Sequence, residues 1–123
     1  MEITGSKVLK KISNEPIIKS VNFSFKEGVN GLIGANGAGK TTLIRLITKY
    51  YKLTSGKIRI NLENDTDLFD NKTMYYDNLG YLPQDFRGIG EFTVIEFLNY
   101  IKRTKNISNK NNTVIGDLVD TLS

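Results

Sequence analysis

A chain of 123 residues has room for one domain or part of one, and enough apolar residues to bury a core. It contains neither Cys nor His, which excludes a disulfide framework and thiolate metal sites and removes the commonest general base and metal ligand. The net charge of +4 is uneven: residues 1–61 hold 11 Lys and Arg against 3 Asp and Glu, whereas residues 62–123 hold 6 against 10.

Residues 1–33 read as strands. Ile3, Val8, Leu9 and Ile12 give an irregular first pattern, and Pro16 is expected to break it before Ile17-Ile18. Val21, Phe23 and Phe25 alternate with Asn22 and Ser24, the period of a half-buried strand. Lys26-Glu27-Gly28 reads as a turn, and Leu32-Ile33 as the end of a short buried strand.

Gly34-Ala35-Asn36-Gly37-Ala38-Gly39-Lys40-Thr41 then fits the phosphate-loop pattern G-x-x-x-x-G-K-[ST] without a gap. The inward-facing N–H groups of such a loop cradle nucleotide phosphates. The glycines allow turns that a Cβ would block. Lys40 supplies a cation for the terminal phosphates, and the Thr41 hydroxyl is the usual Mg²⁺ ligand. A Gly-rich turn that binds nothing is the plainer alternative, but the flanks fit the motif. Leu43, Leu46, Ile47 and Tyr50 recur at i, i+3, i+4 and i+7, one face of a following helix. Its N-terminal dipole favours an anion by about 0.3–1 kcal/mol. The basic first half suits an anionic ligand. Its cations are scattered and no nucleic-acid motif accompanies them, which argues against nucleic acid.

Thr54-Ser55-Gly56 is a turn signal, and Lys57-Ile58-Arg59-Ile60 alternates as a strand. Residues 61–78 are rich in Asn and Asp and read as a loop with room for a short helix. Asp65, Asp67 and Asp70 lack the central Gly and terminal Glu of a Ca²⁺ loop and read as solvated acids. Leu79-Gly80-Tyr81-Leu82 reads as a short strand ended by Pro83. Thr93-Val94-Ile95-Glu96 has capping-box spacing and opens a helix to about Lys102, with Val94, Phe97, Leu98 and Ile101 on its apolar face. Thr104 to Asn112 reads as a loop, and Val114 to Leu122 as a third helix.

Several of these segments together resemble the nucleotide-binding domain of ATP-binding cassette (ABC) transporters. Residues 34–43 resemble its Walker A loop, including the Asn36-Gly37 pair. Thr54 to Ile58 resembles the start of its antiparallel β subdomain. Leu79-Gly80-Tyr81-Leu82-Pro83-Gln84 is similar to the strand that enters its Q-loop, and Phe92 to Leu98 to the helix that opens its α-helical subdomain. The resemblance implies an α/β fold: a phosphate-loop NTPase core of the ABC cassette type, truncated, with an antiparallel β subdomain and the start of the α-helical subdomain. About 1–85 would be core and β subdomain, and about 86–123 the start of the helical subdomain.

The resemblance further implies ATP with Mg²⁺ as ligands, bound by Gly34, Ala35, Asn36, Gly37, Ala38, Gly39, Lys40, Thr41 and Thr42. Gln84 would reach the metal and the attacking water. The segment around Gln84 would contact a membrane-spanning transporter subunit, at the cytoplasmic face of the membrane. A second nucleotide-binding domain would be the other partner. The family's adenine-stacking ring is replaced near Ile12-Ser13-Asn14, so Ile12 would offer only apolar contact to the base.

The family's Leu-Ser-Gly-Gly-Gln signature, its four apolar residues ending in Asp-Glu (Walker B) and its switch histidine do not occur in these 123 residues. Asp117 and Asp120 are the nearest acids, in a run broken by Gly116, and read as surface acids of a terminal helix. The 123 residues are therefore expected to be the N-terminal part of a longer domain, by a gene fragment, a split cassette or a partial sequence. No catalytic base lies within them, and turnover of ATP by this chain alone is not expected. The alternatives are a non-catalytic nucleotide-binding fragment or regulatory module, and a soluble cassette protein acting on ribosomes or DNA.

Overall fold

The computed structural model describes residues 1–61 and 69–105. They fall into two compact units, residues 1–79 and the described part of residues 80–123.

In the first unit, strands β1 (Glu2–Ile12), β2 (Glu15–Lys26) and β3 (Ser55–Asn61) form an antiparallel sheet in the order β2-β1-β3. Helices α1 (Lys40–Ile47) and α2 (Lys72–Asp77) complete it. β1 and β2 make a hairpin that closes at the Ile12–Glu15 pair. Its two turn residues, Ser13 and Asn14, have φ of 49° and 65°, as a two-residue turn that matches strand twist requires. The chain therefore reverses at Ser13-Asn14 and not at Pro16, which lies inside β2 opposite Lys11. A proline is tolerated there because β2 is an edge strand, where a missing N–H breaks no obligatory pairing.

The sheet is irregular where Lys7 and Ser20 take φ of 48° and 54°, with register shifts between Gly5, Val8 and Lys10. The Lys7 N–H, out of the ladder, donates to the Asn22 Oδ1 at 2.7 Å, so the bulge leaves no orphan donor there. β3 alternates as its sequence foretells: Ile58 and Ile60 are buried, while Lys57 and Arg59 are exposed.

Val8, Ile18 and Ile58 from the sheet meet Leu43 and Leu46 of α1 in one core, with Phe23, Phe25 and Ile47 packed against it. Burying a leucine contributes about 1.5–3 kcal/mol, so Leu43 and Leu46 are what hold α1 to the sheet. Tyr50, expected on the same face, lies beyond the helix end and is 70% exposed. The helix stops because Lys49 adopts φ 58°, which turns the chain away.

A second small cluster joins Ile60 and Tyr75. The Tyr75 hydroxyl donates to the Ile47 carbonyl. Burial, and next the neighbouring Tyr76, push its pKa up to about 12. Lys49 Nζ donates to the Phe69 carbonyl and sits 4.4 Å from the centroids of both the Phe69 and Tyr75 rings. These contacts fasten α2 to the C-terminal end of α1.

Two expected strands do not form. Residues 29–35 contain no strand, and Val29 and Ile33 are fully exposed. Residues 79–83 are likewise without strand. A strand needs a neighbour to take its N–H and C=O groups, and no described strand lies beside either segment.

The second unit contains α3 (Val94–Thr104). Its capping box is complete: Thr93 Oγ1 accepts the Glu96 N–H at 3.3 Å, and the Thr93 N–H donates to Glu96 Oε2 at 2.8 Å. Lys102 and Arg103 in the last turn oppose the negative end of the dipole. Of the expected apolar face, Phe97, Leu98 and Ile101 are half-buried and Val94 is 64% exposed. The ring of Phe97 packs on Phe86 at 5.3 Å between centroids, and Tyr100 on Phe92 at 5.9 Å.

The backbone N–H of Thr93, and then its hydroxyl, hold the Glu96 carboxyl below the usual glutamate pKa. A lowered folded-state pKa means the carboxylate stabilises α3 fully above the ordinary glutamate range. That support is lost as pH falls through the lowered value. The amides of Thr93, Glu96 and Phe97 are therefore expected to lose exchange protection as pH falls below the ordinary glutamate range, and to do so less in Glu96→Gln. Equal pH dependence in both proteins would contradict this.

The expected helix at Val114 to Leu122, with Asp117 and Asp120, lies outside the described residues, as do Asp65 and Asp67. Among the described residues no helix is long and apolar enough to cross a membrane.

Candidate phosphate-binding loop

The segment from Gly34 to Gly39 runs from the unpaired stretch after Gly28 into the first turn of α1. Two glycines make its shape possible. Gly37 has φ 81° and Gly39 φ 92°. Gly39 is also pressed against the start of β2: a Cβ there would lie 2.8 Å from Ile18 Cδ1 and 3.2 Å from the Ile17 carbonyl oxygen. The hairpin thus holds the C-terminal end of the loop in place. Continuation of β2 through Pro16 into Ile17 is the positioning feature that reading Pro16 as a breaker overlooks.

The loop is drawn together by Ala38 N–H donating to the Ala35 carbonyl at 3.2 Å, and α1 begins with Leu43 N–H donating to the Gly39 carbonyl at 2.8 Å. A Cβ on Gly34 would meet Ala38 Cβ at 3.5 Å and Lys40 Cδ at 3.8 Å, so the missing side chain at 34 keeps the inside of the loop clear.

Lys40 folds back over that space. Its Nζ donates to the carbonyls of Gly34 at 2.6 Å and Ala35 at 2.7 Å. An ammonium held this way spans the mouth of the loop. The N-terminus of α1 has no side-chain cap, and its first turn carries no acid. The first N–H donors of the helix are consequently open to an external acceptor. Thr41 is exposed and Thr42 half-buried at that same turn.

These residues suit a polyphosphate with its metal. The donors are backbone amides and one ammonium, no carboxylate competes in the first helical turn, and a threonine hydroxyl is available to a hard cation. Among the described residues no cluster of His, Cys, Asp and Glu could hold a metal without such a ligand. A cavity of about 400 Å³ lies elsewhere in this unit, lined by Ile3, Phe25, Leu32, Ile44 and Ile47 among others. Its walls are mainly apolar, and the loop is the better site for an anion.

Ile12 ends β1 at the hairpin tip and is 41% exposed. Its pairing with Glu15, two residues before the Ile17 carbonyl that abuts Gly39, puts the hairpin tip on the strand that borders the loop. Gln84 belongs to the second unit. It is exposed, in a turn closed by the Phe86 N–H donating to the Pro83 carbonyl at 3.3 Å.

Comparison with known proteins identifies the family. The family model described as ABC transporter matches residues 18–122. The ribose import ATP-binding protein RbsA of Bacillus licheniformis is 34% identical over 99 residues, which is 80% of this chain and 20% of that protein. The methionine import ATP-binding protein MetN of Ligilactobacillus salivarius is 30% identical over 100 residues, 76% of this chain and 28% of that protein. The chain thus spans between a fifth and about three tenths of the length of these curated relatives. Among solved structures, an ATP-binding subunit of an ABC transporter superposes with a TM-score of 0.71 at 24% identity, covering 89% of this chain and 45% of that one, which speaks to fold alone. A match of that family model over residues 18–122 makes this protein a member of the ABC transporter family.

Proposed function

We propose that this chain is the ATP-binding part of an ABC-type ATPase that drives a membrane transporter. The observation that carries the reading is the loop itself: an uncapped helix N-terminus, a clear interior and an ammonium at its mouth. Residues 34–39 would enclose the phosphates with backbone N–H donors. Lys40 would neutralise their outer oxygens, and Thr42 would add a hydroxyl donor. Thr41 would hold Mg²⁺, which when bound supplies charge neutralisation between the terminal phosphates. Gln84 would orient water, and the segment around it would meet the membrane-spanning subunit. A second nucleotide-binding domain would close over the nucleotide. The names of RbsA and MetN as import ATP-binding proteins support the transport role. The protein would then work at the cytoplasmic face of a membrane.

Base selectivity is expected to be weak, since a lost aromatic stack removes about 1–3 kcal/mol of base contact. GTP should compete with MgATP within about one power of ten, and Ile12→Tyr should tighten ATP. A strong ATP preference in the unaltered protein would show that other residues form the adenine pocket.

Calorimetric titration with MgATP, beside steady-state phosphate release, tests the reading as a whole. Saturable binding is expected, with release far below the enzyme median of about 10 per second, because neither a carboxylate base nor a signature loop is encoded in these residues. Absence of binding by folded protein would refute the nucleotide role. Fast release that disappears in Lys40→Ala would refute the non-catalytic assignment of this chain.

A further inference from the structure

The solvent face of the sheet holds a second group of anion-compatible side chains, separate from the loop. Thr4 stands directly opposite Arg59, and Ser6 directly opposite Lys57, across the β1–β3 pairing. Directly opposed residues place their Cβ atoms about 4.5–5.5 Å apart. Residues two apart on a strand share a face, so all four side chains project to the same side, away from buried Ile58 and Ile60. They line one cavity of about 260 Å³. Immediately beyond Ser6 the β1–β3 register shifts, at the bulge where Lys7 has positive φ. A bulge increases local twist and bends the strand, and here it borders the cavity.

The lining consists of a guanidinium, an ammonium and two hydroxyls. Among the described residues, the acidic group on this face nearest in register is Glu2, two residues from Thr4, and its Oε1 already accepts the Ser24 hydroxyl at 2.7 Å. Arg59 already makes an interaction within the chain, and a guanidinium carries five donors. A guanidinium fork beside a point cation and hydroxyl donors is the donor set for a tetrahedral dianion.

We propose that Thr4, Ser6, Lys57 and Arg59 form an anion site for a phosphate monoester on the open face of the sheet, independent of the nucleotide loop. Arg59 makes the planar paired contact, Lys57 balances the second charge, and the two hydroxyls donate to the remaining oxygens. The phosphate could belong to a soluble metabolite or to a lipid headgroup, since both present the same dianion.

The test uses the whole chain carrying Lys40→Ala, which weakens phosphate at the loop and keeps this result separate from the nucleotide reading. Inorganic phosphate is titrated while the amide resonances of Thr4, Ser6, Lys57 and Arg59 are followed, with sodium chloride at matched ionic strength as control. Saturable shifts at these four residues are expected, with a Kd on the order of 1 mM. Lys57→Glu should weaken binding at least about tenfold and Lys57→Gln somewhat less, both at exposed positions that leave the core untouched. Vesicles containing phosphatidic acid, compared with neutral vesicles, distinguish the lipid source: sedimentation with the acidic vesicles that Lys57→Glu abolishes assigns the site to a headgroup, and shifts by soluble phosphate alone assign it to a metabolite. Identical shifts with chloride, or unchanged phosphate affinity in Lys57→Glu, would overturn the proposal.

Discussion

Lys40→Ala is expected to weaken MgATP binding by about one to two powers of ten while leaving the fold intact. The magnitude follows from a charge-assisted contact of about 1.5–3 kcal/mol between the ammonium and the phosphates. The unliganded loop loses less, because Lys40 contributes there two hydrogen bonds to the exposed carbonyls of Gly34 and Ala35, which water can replace. The variant should keep the circular dichroism of the parent, since the core residues Leu43 and Leu46 are undisturbed. Unchanged affinity in a folded variant would mean that the ammonium does not reach the nucleotide.

Gly56→Ala is expected to have the largest effect on stability. Gly56 sits at the start of β3 with φ 88°, a conformation strained for any residue bearing a Cβ. The added carbon would lie 2.2 Å from the Lys7 carbonyl oxygen and 2.7 Å from that of Ser6. Both obstacles are backbone in the neighbouring strand, so relief requires β1 and β3 to part at Ser6–Lys57. Strain alone costs on the order of 1–3 kcal/mol, and the overlap adds to it. Each kcal/mol lowers Tm by roughly 4–8 °C in a unit of 60–100 residues, so a drop of about 10 °C or more is expected. Thermal unfolding followed by circular dichroism measures this. A Tm within about 2 °C of the parent would show that the β1–β3 junction is not as close as described.

The parts of this fold that are legible in sequence are those fixed by local chemistry. Ile58 and Ile60 alternate with Lys57 and Arg59, and they do so in β3. The Thr93–Glu96 spacing makes a capping box because both partners lie within one helical turn. The candidate loop is read from residue types alone, and glycine, the residue that adopts such angles most readily, stands where φ reaches 81° at Gly37 and 92° at Gly39. What sequence misses depends on neighbours. Leu32-Ile33 and Leu79 to Leu82 have the composition of strands, but strand is a property of a pair, and neither has one among the described residues. Pro16 reads as a breaker until β2 is known to be an edge strand. The Ser13-Asn14 reversal lacks the Asn-Gly that marks most such hairpins. The four-residue cluster on the sheet face is invisible in sequence, because Thr4 and Arg59 are brought together only by the β1–β3 register.

Residues 34–42 are proposed to receive nucleotide phosphate. Backbone amide shifts on titration with MgATP test this most directly, because the loop's own N–H groups are the proposed donors. Large, saturable changes are expected at Gly37, Gly39, Lys40 and Thr41, with core amides such as Ile58 and Leu46 nearly still. Binding that leaves the amides of Gly34 to Thr42 unmoved, with changes elsewhere in the chain, would contradict it.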